Sequence, residues 1–223
     1  MRTIKVAKWK SFRSQLRALH ACSDARTWVG HKSLRCAYRT CERGDWMLWL
    51  AGRVGVDRNV LVLAACACAR LALVHMPAGE GRPLAAIETA ERWARGDASV
   101  SLEDVRQAAY AAYAAYAAAY ANANANAYAY AAYAAANAAN AANAAANAAN
   151  AANAAANAAA YAAYAANAAA RSDTLRNCAD IVRRHITLGM IETAMHAKRR
   201  TPNHDPVDER AAGRATARVR GHA

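Results

Sequence analysis

Between Ala108 and Ala170 the sequence has no charged residue, no proline and no glycine, only alanine, tyrosine and asparagine over about sixty residues. A stretch with no acid, base or activated nucleophile cannot hold a catalytic constellation, so any chemistry must come from the flanks. The tract also lacks threonine, which excludes the regular threonine row of ice-binding alanine helices. Six cysteines (Cys22, Cys36, Cys41, Cys66, Cys68, Cys178) are present, yet none stands in a CxxC or other zinc-ligand spacing. Cys66 and Cys68, two apart in a helical segment, point to nearly opposite sides and cannot chelate one ion. Buried free thiols are expected, which suits a reducing cytoplasm, and no metal site is expected. Residues 1–20 contain no uninterrupted apolar run of the kind a secretory signal needs, so a cytoplasmic protein is expected. No nucleophile motif accompanies the scattered His20, His31, His75, His185 and His196, so no catalytic residue and no cofactor is nominated.

What the sequence does contain is positive charge, unevenly spread. The formal net charge is +13. Residues 1–58 hold 13 lysines and arginines against 4 acids, whereas residues 59–107 are nearly balanced at 5 against 6. The basic excess therefore lies in the N-terminal part and after Lys198, where it would attract nucleic acid, an anionic surface or an acidic protein, or serve solubility alone.

The flanks have helical patterning. Leu16, Leu19 and His20 share a face in a short helix from Arg13 to Cys22, which ends before Gly30. Asp45 is placed to cap a helix carrying Trp46, Trp49 and Leu50, and Asp57 to cap a second helix from Asn59 to about His75. That second helix is apolar on nearly every side and is expected to be the central core helix. Its apolar run is too short for a membrane span before Arg70 and His75 intervene. Arg70 on such a helix needs an acidic partner or an exit to solvent, and Asp45, Glu88 and Glu91 are the candidates. A helix from Pro83 to Arg95 and a capping box at Ser101–Asp104 follow. After the tract, Leu175, Cys178, Ile181, Val182 and Ile186 mark an amphipathic helix whose apolar side must pack on the N-terminal helices. The expected fold is all-α. A single helical bundle spans residues 1–186, with the 108–170 tract as a long helical insertion within it and 187–223 as a disordered basic tail.

The alanine majority should keep the tract helical. Asn122, Asn124 and Asn126 place polar groups around the whole helix, so a kink or hairpin is expected near residues 121–128. Farther along, Asn137, Asn140, Asn143, Asn147, Asn150, Asn153 and Asn157 repeat at intervals of 3, 3 and 4. Ten residues turn a helix through about 1000°, roughly 80° short of three turns, so the stripe winds left-handed and a flat contact face is disfavoured unless breaks reset it. The tyrosines are expected to pack on flanking helices or on a neighbouring tract helix, and the asparagines to keep an uncharged surface wet. Repeat slippage offers a further reading, in which the tract is an expanded insertion of unconstrained length.

Three runs carry a resemblance: Cys41–Arg53 (CERGDWMLWLAGR), Leu61–Leu73 (LVLAACACARLAL) and Ala86–Gly96 (AIETAERWARG), with a closing run Leu175–Arg184 (LRNCADIVRR). Together they resemble the immunity protein family of bacterial toxin systems, over about Leu16 to Ile186 excluding much of the tract. The heavy asparagine content departs from the family's pattern, and the basic segment after His196 looks like an extension. The resemblance implies a small cytoplasmic, non-catalytic binding protein that neutralises a cognate toxin. It supplies no binding residues. From the sequence pattern alone, Asp45, Trp46, Trp49, Arg70, Glu88 and Glu91 are the candidate binding residues. A nucleic-acid-binding accessory protein, acting through the basic N-terminal part and tail, stays open as an alternative, as does a structural protein acting through the alanine-rich helix. No membrane partner is expected, and the oligomeric state is left open.

Overall fold

A computed structural model describes residues 11–120, 126–143, 148–165 and 170–200, and among these it contains eleven α-helices and no strand. The fold is all-α. Three helices of seven residues open the chain: α1 (Phe12–Ala18), α2 (Ser23–Val29) and α3 (Leu34–Thr40). Ser11 caps α1 by accepting from the Ser14 N–H, and Ser33 caps α3 by accepting from the Cys36 N–H. Then come α4 (Gly44–Val54), α5 (Arg58–Arg70), a short 3-10 turn at Leu73–His75, and α6 (Arg82–Ala94). Asp57 caps α5 as expected, accepting from the Asn59 and Val60 N–H groups, and Pro83 sits in the first turn of α6. Asp45 does not cap α4. The helix starts two residues earlier than such a cap would place it, at Gly44 with Arg43 in the cap position, and the Asp45 carboxylate turns instead to Arg43.

The tract forms α7 (Leu102–Tyr120), α8 (Asn126–Asn143) and α9 (Ala148–Ala165). The capping box that launches α7 is closed in both directions: the Asp104 N–H donates to Ser101 Oγ (3.1 Å), and the Ser101 N–H donates to Asp104 Oδ2 (2.8 Å). Successive tract helices run antiparallel, since Tyr113 meets Asn140 while Tyr116 meets Tyr133, and Tyr130 meets Tyr164 while Tyr133 meets Tyr161. The expected break near 121–128 falls between α7 and α8, and its residues 121–125 lie outside the described residues.

The tract is not an addition to a finished domain. α8 packs against α5, α6, α7 and α9, and its alanines from Ala134 to Ala136 and at Ala138, Ala139, Ala141 and Ala142 are wholly buried. A helix surrounded in this way must be apolar all round, and alanine lets four neighbours approach its axis closely. α5 therefore shares the core centre with α8, packing on α4, α6, α8, α9 and α10. By length and composition the stretch Arg58–His75 is apolar enough to cross a membrane, contrary to the sequence expectation; it comprises α5, which packs in the core, and the turn and 3-10 helix that follow it.

The asparagines divide by helix. On α9, Asn153 and Asn157 are exposed while Ala155, Ala158, Ala159 and Ala162 are buried, as a wet polar stripe requires. On α8, Asn137 is buried and its Nδ2 donates to the Tyr133 carbonyl (2.9 Å), and Asn140 Nδ2 donates to Tyr113 Oη (2.7 Å). Asn137 is thus an interior polar group bonded within its own helix and Asn140 a half-buried one bonded across to α7, where the drifting stripe turns it. Tyrosines join the three helices as expected. Tyr133 lies 4.3 Å from Tyr161, 4.8 Å from Tyr116 and 5.4 Å from Tyr113, centroid to centroid. Each such contact is worth about 0.5–1.5 kcal/mol beyond area burial.

α10 (Arg171–His185) buries Cys178, Ala179, Ile181 and Val182 against α4, α5 and α9. It fits over Gly44, where a Cβ would stand 2.7 Å from the Ala179 nitrogen. Past Ile186 the chain forms another helix, α11 (Leu188–Arg200), which buries Ile191 and Met195 and packs on α4. The ordered domain thus extends to Arg200, beyond the boundary expected at residue 186. The basic segment 201–223 lies outside the described residues.

Candidate functional site

Two places gather the candidate binding residues. The first is the start of α4. Asp45 is buried, and Arg43 grips it through both oxygens, Nε to Oδ1 at 2.9 Å and Nη2 to Oδ2 at 2.6 Å. That bond raises the Arg43 pKa, so its charge is secure. The same guanidinium lies 4.4 Å from the Trp46 ring centroid. Trp46 meets Trp28 of α2 edge-on at 6.0 Å, and Lys32 lies 4.5 Å from the Trp28 ring while donating to the Trp28 carbonyl (2.6 Å). One turn along α4, Trp49 has Arg53 at 6.0 Å. Half-buried indoles faced by cations thus run along this side of the molecule, an arrangement worth about 0.5–1 kcal/mol per pair at exposed sites.

Behind the indoles lies an apolar cavity of ≈ 180 Å³, partly open to solvent. Phe12 and Leu16 of α1, Val29 of α2, Ala37 of α3 and Met47 and Leu50 of α4 wall it, and Ala156 of α9 reaches it from the tract. The short helices are held in place from α10. Arg183 donates to the Tyr38 carbonyl (3.2 Å) and to the Cys41 carbonyl, which satisfies the C-terminal end of α3. Tyr38 Oη donates to the Ile186 carbonyl, and Arg176 pairs with Glu42 at 3.2 Å. Burial pushes the Tyr38 phenol up against the opposing effect of Arg183, and burial likewise raises the Cys41 thiol, so both stay neutral at physiological pH.

The second place is between α5 and α6. Of the three acids considered for Arg70, Glu91 is the partner, taking Nε at 2.8 Å and Nη2 at 3.0 Å. Arg95 adds a third bond to Glu91 at 3.3 Å. Burial pushes the Glu91 carboxyl up, but Arg70 and Arg95 outweigh it and hold it below its ordinary value. Glu88 is exposed and acts on Arg70 through charge alone. Asp45 belongs to Arg43. The structure therefore joins Asp45, Trp46 and Trp49 in one site, joins Arg70 to Glu91 in another, and does not bring the two sets together.

No family model, curated protein or solved structure matches this chain. Among the described residues no group of three His, Cys, Asp or Glu side chains is placed to hold a metal ion. Cys41, Cys66, Cys68 and Cys178 are buried and free as expected, whereas Cys22 and Cys36, also expected to be buried, are free and exposed at the ends of the short helices α2 and α3. Cys66 and Cys68 do face different neighbours, Sγ of the first toward the Ile87 carbonyl and Sγ of the second toward the Cys178 carbonyl.

Trp28, Tyr38 and Cys41 were missing from the sequence-based candidates. They lie on or beside α2 and α3, helices of two turns that are too short to show a period. The available signal was Ser33 three residues before Cys36, an N-cap spacing with no apolar run behind it.

Proposed function

We propose that the protein is a non-catalytic binding protein that neutralises a cognate bacterial toxin. The observation that carries this reading is the cation-faced tryptophan row Trp28–Trp46–Trp49 on the basic N-terminal helices. Tryptophan and arginine dominate the energetically important centres of protein interfaces, because a large ring or a planar guanidinium yields much contact at little entropy cost. Arg13, Arg17, Arg35 and Arg39 are exposed on α1 and α3 and add a positive field around the row. Such a field raises association rates for an acidic partner face. The sequence resemblance in Cys41–Arg53 falls on this same row and supports the toxin as partner.

The test is co-expression with the toxin genes neighbouring its own, scored by host survival and followed by purification of the complex. Rescue by the wild-type chain, lost in a Trp46→Ala, Trp49→Ala double variant that still folds, is the expected result. A chain that rescues no neighbouring toxin and is recovered alone refutes it. Binding to nucleic acid, recognised by affinity that falls steeply with salt, refutes it in favour of the alternative.

A further inference from the structure

We infer that the cavity between α1–α3 and α4 is a binding site for one small, neutral, apolar molecule with a single fused aromatic ring system. Its volume, ≈ 180 Å³, is the first reason. Apolar cavities of about 150 Å³ take up a benzene-sized guest and otherwise stay dry. The space is thus too small to enclose a whole lipid chain or nucleotide and large enough for a bicyclic ring.

The chemistry of the walls is the second reason. Phe12, Leu16, Val29 and Met47 offer only carbon and sulfur surface. Of the polar side chains that reach the cavity, Asp45 is engaged by Arg43, Tyr38 by the Ile186 carbonyl and the Cys41 thiol by the Arg43 carbonyl at 3.5 Å, while the Cys22 thiol and the indole N–H groups add only uncharged donors. A cationic guest would meet the like charges of Lys32 and Arg43 at the indoles and surrender its hydration to a wall that offers it no acceptor, at a cost no apolar contact recovers. Trp28, Trp46 and Trp49 present aromatic surface at the same cavity, suited to edge-on or offset contact with a ring.

Preorganisation is the third. Lys32 and Arg43 hold the Trp28 and Trp46 rings, and Arg183 and Tyr38 fasten α3 to α10, so the walls are fixed before anything enters. A guest then meets a formed site and does not bear the entropy of assembling one. This inference concerns the isolated chain and does not depend on the toxin reading.

Titration of the full chain with indole, by calorimetry and by NMR, tests it. About ten heavy atoms bound at ordinary ligand efficiency predict a dissociation constant on the order of 10–100 µM. Indole protons should show contacts to the Met47 ε-methyl and the Leu16 methyls in the wild-type chain, a readout that needs no variant. Tryptamine, the same ring carrying an ammonium group, should bind at least about tenfold more weakly, since its charge meets Lys32 and Arg43 at the indoles. Ala37→Leu, which fills the cavity from α3, should weaken indole about tenfold or more. Absence of saturable binding up to millimolar indole overturns the proposal. So do contacts to methyls elsewhere, or tryptamine binding as tightly as indole.

Discussion

Replacing Ala135 by leucine distinguishes a structural tract from an expandable one. Ala135 lies at the middle of α8 and is wholly buried, with α5, α6, α7 and α9 around its helix. Leucine adds three carbons where alanine-to-alanine packing leaves no room, so neighbouring helices must move apart or the new side chain must take a strained rotamer. Overpacking of this kind costs about 1–3 kcal/mol, and leucine's helix propensity is close enough to alanine's that local preference contributes little. Ala114, on α7, is exposed and provides the control, because the same three carbons there meet solvent. The assay is urea unfolding at pH 7 with linear extrapolation, supported by thermal melts. Ala135→Leu should lose about 2 kcal/mol, roughly 4–8 °C in Tm for a chain of this size, while Ala114→Leu stays within about 0.5 kcal/mol of wild type. Equal stability of the two variants would refute the placement of α8 in the core and restore the unconstrained-insertion reading.

Three further outcomes follow from the same geometry. Arg70→Ala should destabilise the chain by about 1–3 kcal/mol at pH 7, less than a fully buried pair would, because the Arg70 side chain is 39% exposed. Glu91 is held below its ordinary value of 4.5, so its contribution is present above that pH and is lost as the pH falls through the depressed folded value. The gap between wild type and variant should therefore narrow as the pH falls below the ordinary glutamate value of 4.5, and a gap independent of pH would count against the pair. Gly44→Ala should cost about 2 kcal/mol or more despite alanine's better helix propensity, since the new Cβ meets the Cys178 Cβ and the α10 backbone; unchanged urea midpoints would disprove that close approach. With an aromatic disulfide reagent, Cys22 and Cys36 should react in the native state, and Cys41, Cys66, Cys68 and Cys178 only on unfolding. A third thiol titrating before denaturation would contradict the burial of the cluster.

Local chemistry was legible in the sequence wherever a residue acts on its near neighbours. Asp57 as the cap of α5, Ser101 with Asp104 as a reciprocal box, the first-turn proline of α6 and the amphipathic face of α10 all depend on spacings of two to four residues, which sequence displays directly. Composition likewise determined that the chain is helical, since alanine over about sixty residues favours little else. The partner of Arg70 was narrowed to three acids, but choosing Glu91 required the distance between α5 and α6. The site was legible by half: Asp45, Trp46 and Trp49 stood in a recognisable run, while Trp28, Tyr38 and the cavity they share depend on how two-turn helices fold back onto α4.

Tertiary structure alone decided the standing of the alanine tract. Nothing in a repeat of alanine, tyrosine and asparagine says which helix will be enclosed, because the same asparagine spacing gives a wet stripe on α9 and internally bonded groups on α8. Burial was settled by what surrounds α8, and with it the burial of Asn137 and the meeting of Tyr113, Tyr116, Tyr133 and Tyr161 across three helices. The sequence determined that the tract would be helix; only packing against α5 and α6 made it core, because alanine's small volume permits close approach without specifying the neighbour.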